Sequence, residues 1–276
     1  MENSRMAKLA VNELTTYRWS FEEDVHRYAE AQVPAIGIWR QKLSDFGEER
    51  GVELIAESGL AVSSLSWAGG FTGSEGRSHQ ESVADACQAI HLAAQLKAPC
   101  LVLHSGARGV HTQNHARRLL RMALEKLLPQ AEEHGVALAI EPMCRAAGSE
   151  WTFLHTLEET RTLIKEFSSA ALKLVLDTYH WGHQADLLAE IPHLAAHLAL
   201  VQLSDARQLP SMEPNRTPLG CGVLPLAAFV GQLMRAGYDG FFEVELMGEE
   251  IERADYQELI AQSRSSFDSW TTPAEV

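Results

Sequence analysis

Short apolar runs recur along the chain, each stopping at a polar residue and each followed by a segment with apolar positions at helical spacing. The runs cover Lys8–Asn12, Ala35–Ile38, Leu60–Leu65, Cys100–Leu103, Val136–Ile140, Leu172–Asp177, Leu198–Leu203 and Gly240–Leu246. A short β-rich run bounded by polar residues reads as a buried strand. Between the runs lie helix signals. Ser20 with Glu23, Ser78 with Glu81 and Thr156 with Glu159 have the spacing of capping boxes, in which hydroxyl and carboxylate satisfy each other's free backbone N–H groups. Helices are predicted over Asp45–Ser58, stopped by Gly59, over Asn114–His134, stopped by Gly135, and near Asp186–Ala196. Pro225 suits the first turn of another that ends at Gly237, and a last helix covers about Ala254–Ser266. The four glycines of Ala68–Gly76 read as a mobile loop.

Eight strand–helix units in regular alternation predict a parallel sheet. With no linker or break in composition, a chain of 276 residues fits one closed (β/α)8 TIM barrel, class α/β. The single domain spans 1–276, with the barrel over about 8–268 and a polar tail at 269–276. An open doubly wound sheet would carry a glycine-rich turn after its first strand. Asn12-Glu13-Leu14-Thr15 is not one.

In a closed barrel the C-terminal ends of the strands meet at one mouth, where active sites lie. The residues delivered there are Asn12, Trp39, Ser66, His104, Glu141, Asp177, Gln202 and Glu245. Glu243 shares a face with Glu245 at strand spacing, so parity does not choose between them. Any one of these alone reads as well as a cap, a core histidine or an ordinary strand polar position. Four separate strands ending this way at the same rim point to a site. Three carboxylates in one mouth would repel and resist ionisation. A divalent cation removes the conflict: carboxylate and carbonyl oxygens suit Mg or Mn, and an imidazole extends the choice to Co or Zn.

The 37 acidic against 23 basic residues give a formal charge of -14, which lacks the cationic footprint of a nucleic-acid binder and suits an anionic membrane poorly. Cys87, Cys100, Cys144 and Cys221 show no paired spacing, so neither a structural zinc site nor a disulfide framework is expected. No base partner is identifiable for Cys144. With no apolar leader and no run long enough to span a bilayer, reduced thiols in a cytoplasmic protein are the expectation.

The motifs Ala139-Ile140-Glu141-Pro142, Leu176-Asp177-Thr178-Tyr179-His180, Val201-Gln202-Leu203-Ser204-Asp205, Arg216-x-x-x-Gly220-x-Gly222 and Gly237-Tyr238-Asp239-Gly240-Phe241-x-x-Val244-Glu245 resemble those of the xylose isomerase-like TIM barrels. More narrowly, they resemble the sugar phosphate isomerase/epimerase group of ketose 3-epimerases, hydroxypyruvate isomerases and inosose isomerases and dehydratases. The resemblance implies one divalent metal ion held by Glu141, Asp177, Gln202 and Glu245, and it favours Glu245 over Glu243. It implies that Glu141 and Glu245 are the acid–base pair. It implies substrate contacts from His180, His104 and Trp67, and from either Arg207 or Arg216. The substrate would be a small sugar or polyol, isomerised or epimerised through an enediolate, and the protein a homo-oligomer. Two features depart from the ketose 3-epimerases. Arg145 stands alone where they carry an Asn and a second Glu around it, and Gln202 stands where they have His. A dehydratase on the same metal site and a non-catalytic sugar- or metal-binding barrel are the alternatives. Endonuclease IV-like relatives would need more His and acidic zinc ligands and a DNA surface.

Overall fold

Apolar side chains point alternately to the two faces of each strand, so closing the sheet buries both faces. The structure, a computed structural model, describes residues 7–272. The barrel strands are β1 (Lys8–Asn12), β2 (Ala35–Trp39), β3 (Ala61–Gly69), β4 (Cys100–His104), β5 (Ala137–Ile140), β6 (Leu172–Asp177) and β7 (Leu198–Leu203). Two short strands follow, β8 (Asp205–Ala206) and β9 (Arg216–Thr217), and then β10 (Phe241–Val244) completes the barrel. The order around it is β1-β10-β7-β6-β5-β4-β3-β2, all parallel, and β8 pairs antiparallel with β9 outside it. The expected eight-stranded TIM barrel is therefore present.

The outward faces and the helices form the large core, with Leu9, Ile36, Leu101, Leu138, Leu174 and Val201 among its buried members. A smaller cluster, Cys100, Val102, Ala139, Val175 and Leu200, fills the inside of the barrel. One pleat step of two residues further along each strand lie His104, Glu141, Asp177 and Gln202. The apolar plug is thus the floor on which the polar layer stands.

The capping boxes at Ser20–Glu23 and Ser78–Glu81 both form. At Thr156 only the hydroxyl half forms, because the Glu159 carboxylate is drawn to Arg117 and Gln113 on a neighbouring helix. The single helix expected over Asp45–Ser58 is two, Arg40–Phe46 and Glu48–Ser58. Gly47, at φ 107°, turns the chain between them in a conformation that a side chain would oppose. The first half of the glycine-rich loop is packed: Phe71 is fully buried and the Gly70 N–H donates to the His104 carbonyl at 3.1 Å, while residues 73–76 are exposed. The last helix, Tyr256–Thr271, takes in the start of the expected polar tail; residues 273–276 lie outside the described ones.

A buried charge knot ties the β1 end to the first helices. Lys42 Nζ donates to Asp24 at 2.5 Å and to the carbonyls of Glu13 and Thr16 at 3.1 and 2.9 Å. Glu13 accepts from the Trp39 N–H at 2.8 Å. Burial pushes Asp24 up to about 6 against the pull of Lys42, and lifts Glu13 well above the usual carboxylate range. A folded-state value raised above the unfolded one gives stability that is lost as pH rises through it, here between about 4 and 6. Lys42→Met removes the counter-charge and raises Asp24 further. Urea melts should show a loss of about 3–5 kcal/mol at pH 8, shrinking toward pH 5, where Asp24 is protonated. An equal loss at both values would contradict the assignment.

Candidate functional site

Local structure places each side chain at the rim. The ladder runs one residue past β5 and β10, since Glu141 N donates to Leu103 O at 3.1 Å and Glu245 N to Leu203 O at 3.0 Å. Asp177 ends β6 and caps the following turn, Thr178–Trp181, by accepting from the Tyr179 N–H at 2.8 Å. That turn swings His180 back over the strand end. Arg216 arrives on the β8–β9 hairpin, outside the barrel. Asp205 anchors this hairpin by accepting from the N–H groups of Ala206, Leu224 and Gly220. A side chain at Gly222 would run into Asp205, which explains the Gly220-x-Gly222 spacing. Tyr179 donates to Asn215 at 2.7 Å and its ring lies under the Arg216 guanidinium, 4.7 Å from it.

A cavity of about 170 Å³ opens at this rim. Its polar floor is Glu141, His104, His180, Gln202, Arg216 and Glu245; Trp67, Trp151, Met143 and Met212 give it an apolar wall. Trp67 stacks on His104 at 5.2 Å and meets Trp151 edge-on at 5.5 Å. A wider groove of about 720 Å³ adjoins it, sharing Leu14, Arg216 and Met247 and holding the stacked Tyr17–Trp39 pair.

The carboxylates are individually compensated. His104 Nε2 lies 2.9 Å from Glu141 Oε2. Arg216 Nη2 bridges Asp177 Oδ2 at 2.7 Å and Glu245 Oε1 at 3.3 Å. Gln202 Nε2 donates to Glu245 Oε2 at 2.5 Å. His180 Nε2 stands 3.8 Å from Asp177 and 3.9 Å from Glu141. Burial raises Glu141, but the His104 hydrogen bond and the nearby positive charges outweigh it and hold the group below its ordinary value. Glu245 goes the other way: burial, with Glu141 and Asp177 beside it, lifts it well above the usual range despite Arg216. Burial lowers His180, which favours the neutral imidazole.

Several expectations are decided by position. Arg207 is exposed on the outer groove, paired with Glu250 at 3.2 Å, and does not reach the small cavity; Arg216 does. Glu243 lies one layer below the cavity, where it accepts from Asn12 at 2.7 Å, Ser63 at 2.5 Å and Ser64 at 2.7 Å. Asn12 is therefore committed to that lower layer. His180, expected as a substrate contact, stands beside Asp177 and Glu141 once the turn folds back. Cys144 does have a neighbour, His180 Nδ1 at 3.5 Å, but burial raises the thiol above its usual value, so it is no ready nucleophile. Trp151, Met143 and Met212 carry no signal in the sequence that marks them as walls; they lie in loops that only the fold brings to the mouth.

The donor set fits a divalent cation. Glu141, Asp177 and His180 each offer a ligand atom, and these atoms lie within 4.8 Å of one another. Among the described residues Gln202 Oε1 is buried with no hydrogen-bond partner, so the site holds an unused lone pair. No helix of the described residues is long and apolar enough to cross a membrane.

No curated protein matches the sequence. Many solved structures share the fold, three of them as follows. Protein SMc04130 from Sinorhizobium meliloti 1021 is 24% identical with a TM-score of 0.86, the match covering 95% of this chain and 98% of that one. The IOLI protein with a bound zinc atom is 18% identical with a TM-score of 0.82, over 96% and 98%. An L-ribulose 3-epimerase is 21% identical with a TM-score of 0.78, over 96% and 95%. Residues 25–267 match the family model for the xylose isomerase-like TIM barrel. With a closed eight-stranded barrel and this match over most of its length, the chain belongs to the xylose isomerase-like TIM barrel family.

Proposed function

We propose that the chain is a metal-dependent isomerase or epimerase of a small sugar or polyol carbonyl compound. The observation that carries this reading is the pair Glu141 and Glu245 lining one buried cavity beside His180, Gln202 and Arg216. Two carboxyls facing one small cavity can take a proton from a substrate carbon and return it. Two of the structures sharing the fold, the zinc-binding IOLI protein and the L-ribulose 3-epimerase, support a metal and a sugar by their descriptions.

Glu141, Asp177, Gln202 and Glu245 would hold the cation, with His180 close enough to join them. The ion would polarise the substrate carbonyl and so acidify the adjacent C–H. The oxygen-rich set favours Mn or Mg, while His180 also admits Co or Zn. Glu141 abstracts the proton next to the carbonyl, and Glu245, or Glu141 itself, returns a proton to the enediolate. Delivery from the opposite face epimerises the carbon; delivery to the neighbouring carbon isomerises 1,2. Arg216 and His180 orient substrate oxygens and stabilise developing negative charge. Trp67, stacked on His104, offers an apolar face to the carbon skeleton. The walls exclude water from the reacting carbons.

Glu141→Gln and Glu245→Gln should each lower kcat by about 10²–10⁴-fold on the sugar the enzyme turns over, with KM changed far less. Product analysis by NMR in D₂O should show one exchanged C–H and no loss of water; a dehydrated enone would transfer the site to the dehydratase reading. Mn²⁺ at about a hundredfold excess over its Kd should stabilise the metal-free chain by about 2.7 kcal/mol, read as a rise in Tm. No shift with Mn²⁺, Mg²⁺, Co²⁺ or Zn²⁺ would sink the metal site.

A further inference from the structure

Glu243 takes no part in the chemistry above, yet it is a fully buried carboxylate inside the barrel. Space is made for it: a Cβ at Gly37 on β2 would collide with its carboxylate. Asn12, Ser63 and Ser64 donate to it at 2.5–2.7 Å. A fourth donor is Gln202, its partner in register on β7. Gln202 also donates to Glu245 Oε2 at 2.5 Å, on the cavity side.

The oxygen and nitrogen of a glutamine amide are told apart by their neighbours. Both neighbours of the Gln202 nitrogen are glutamate side chains, and its N–H groups are spent on them. Glu243 already gathers three other donors, so the lower layer offers the amide oxygen no N–H or O–H of its own. With the NH₂ on the two glutamates, the oxygen faces away from them. That oxygen, Gln202 Oε1, is buried without a partner, on a residue that lines the cavity.

We propose that Glu243 is a positioning residue: from the layer below, it locks the Gln202 amide so that its oxygen is presented to the site as a ligand. A histidine at this place would need no such lock, whereas an amide can turn over and present N–H groups, which repel a cation. Asn12, Ser63, Ser64 and the gap at Gly37 are then parts of the lock. The inference rests on the reading of Gln202 as a ligand of the proposed cation.

Titration calorimetry with MnCl₂ on the metal-free full chain tests it through binding, independent of turnover. Glu243→Gln gives the lower layer a donor of its own, so the Gln202 oxygen can turn down to meet it. The expected loss in Mn²⁺ affinity is about 10–100-fold, the usual effect of removing a partner behind a ligand. Gln202→Ala should lose a similar amount. The double variant should bind no more weakly than Gln202→Ala alone, because Glu243 acts only through Gln202. Full multiplication of the two losses, or wild-type affinity in Glu243→Gln, overturns the proposal while leaving the metal site standing. No Mn²⁺ binding by the unaltered chain overturns both. If Glu243→Gln does not fold by circular dichroism, Gly37→Ala displaces the same carboxylate with its charge intact. It should weaken Mn²⁺ binding, and unchanged affinity there overturns the proposal.

Discussion

Glu141, Asp177 and Glu245 share one buried mouth, and their mutual repulsion sets what surrounds them. At about 4 Å and an effective dielectric near 20, two like charges cost about 4 kcal/mol, before the loss of hydration is counted. The surroundings relieve this cost in three ways. His104 holds Glu141 ionised. Arg216 spans Asp177 and Glu245 as a fixed cation. Burial and its acidic neighbours leave Glu245 with a raised affinity for a proton. The same surroundings make the carboxyls unlike: Glu141 is held below the usual range and Glu245 above it.

The rest of the fold serves to keep that arrangement rigid. The apolar plug of Cys100, Val102, Ala139, Val175 and Leu200 seals the barrel below the charged layer. Below the mouth, Glu243 with Asn12, Ser63 and Ser64 forms a second polar layer. Asp205 clamps the hairpin that delivers Arg216, and Tyr179 holds both the guanidinium and the loop residue Asn215. At the first strand, Lys42 ties Asp24 and the carbonyls of Glu13 and Thr16 into one buried knot, so the β1 end does not drift.

Much of this was legible in the chain. Strand endings at Glu141 and Asp177 stand out because an apolar run stops at a carboxylate, and the eightfold alternation says that such endings meet. Glu243 and Glu245 show where legibility stops. They share a face and differ only in depth, and depth is fixed by where the neighbouring strands stand in register. Arg207 and Arg216 lie on either side of the same loop, and only the β8–β9 pairing sends one inward and the other to solvent. His180 lies beyond the strand in the sequence, but a single helical turn capped by Asp177 returns it to the side of Asp177 and Glu141. The loop at Ala68–Gly76 reads as mobile from its glycines, while its backbone is in fact packed on His104 and buries Phe71.

The sequence by itself therefore determined the periodicities: strands of period two, helices with their caps, their alternation, and the carboxylates at strand ends. These are local properties, carried by neighbours within a few residues. Tertiary structure decided which layer each polar residue occupies, which arginine enters the mouth, in which direction its surroundings push Glu141 and Glu245, and which way the Gln202 amide faces. Those depend on barrel register and on burial by distant segments, which no short stretch of chain encodes.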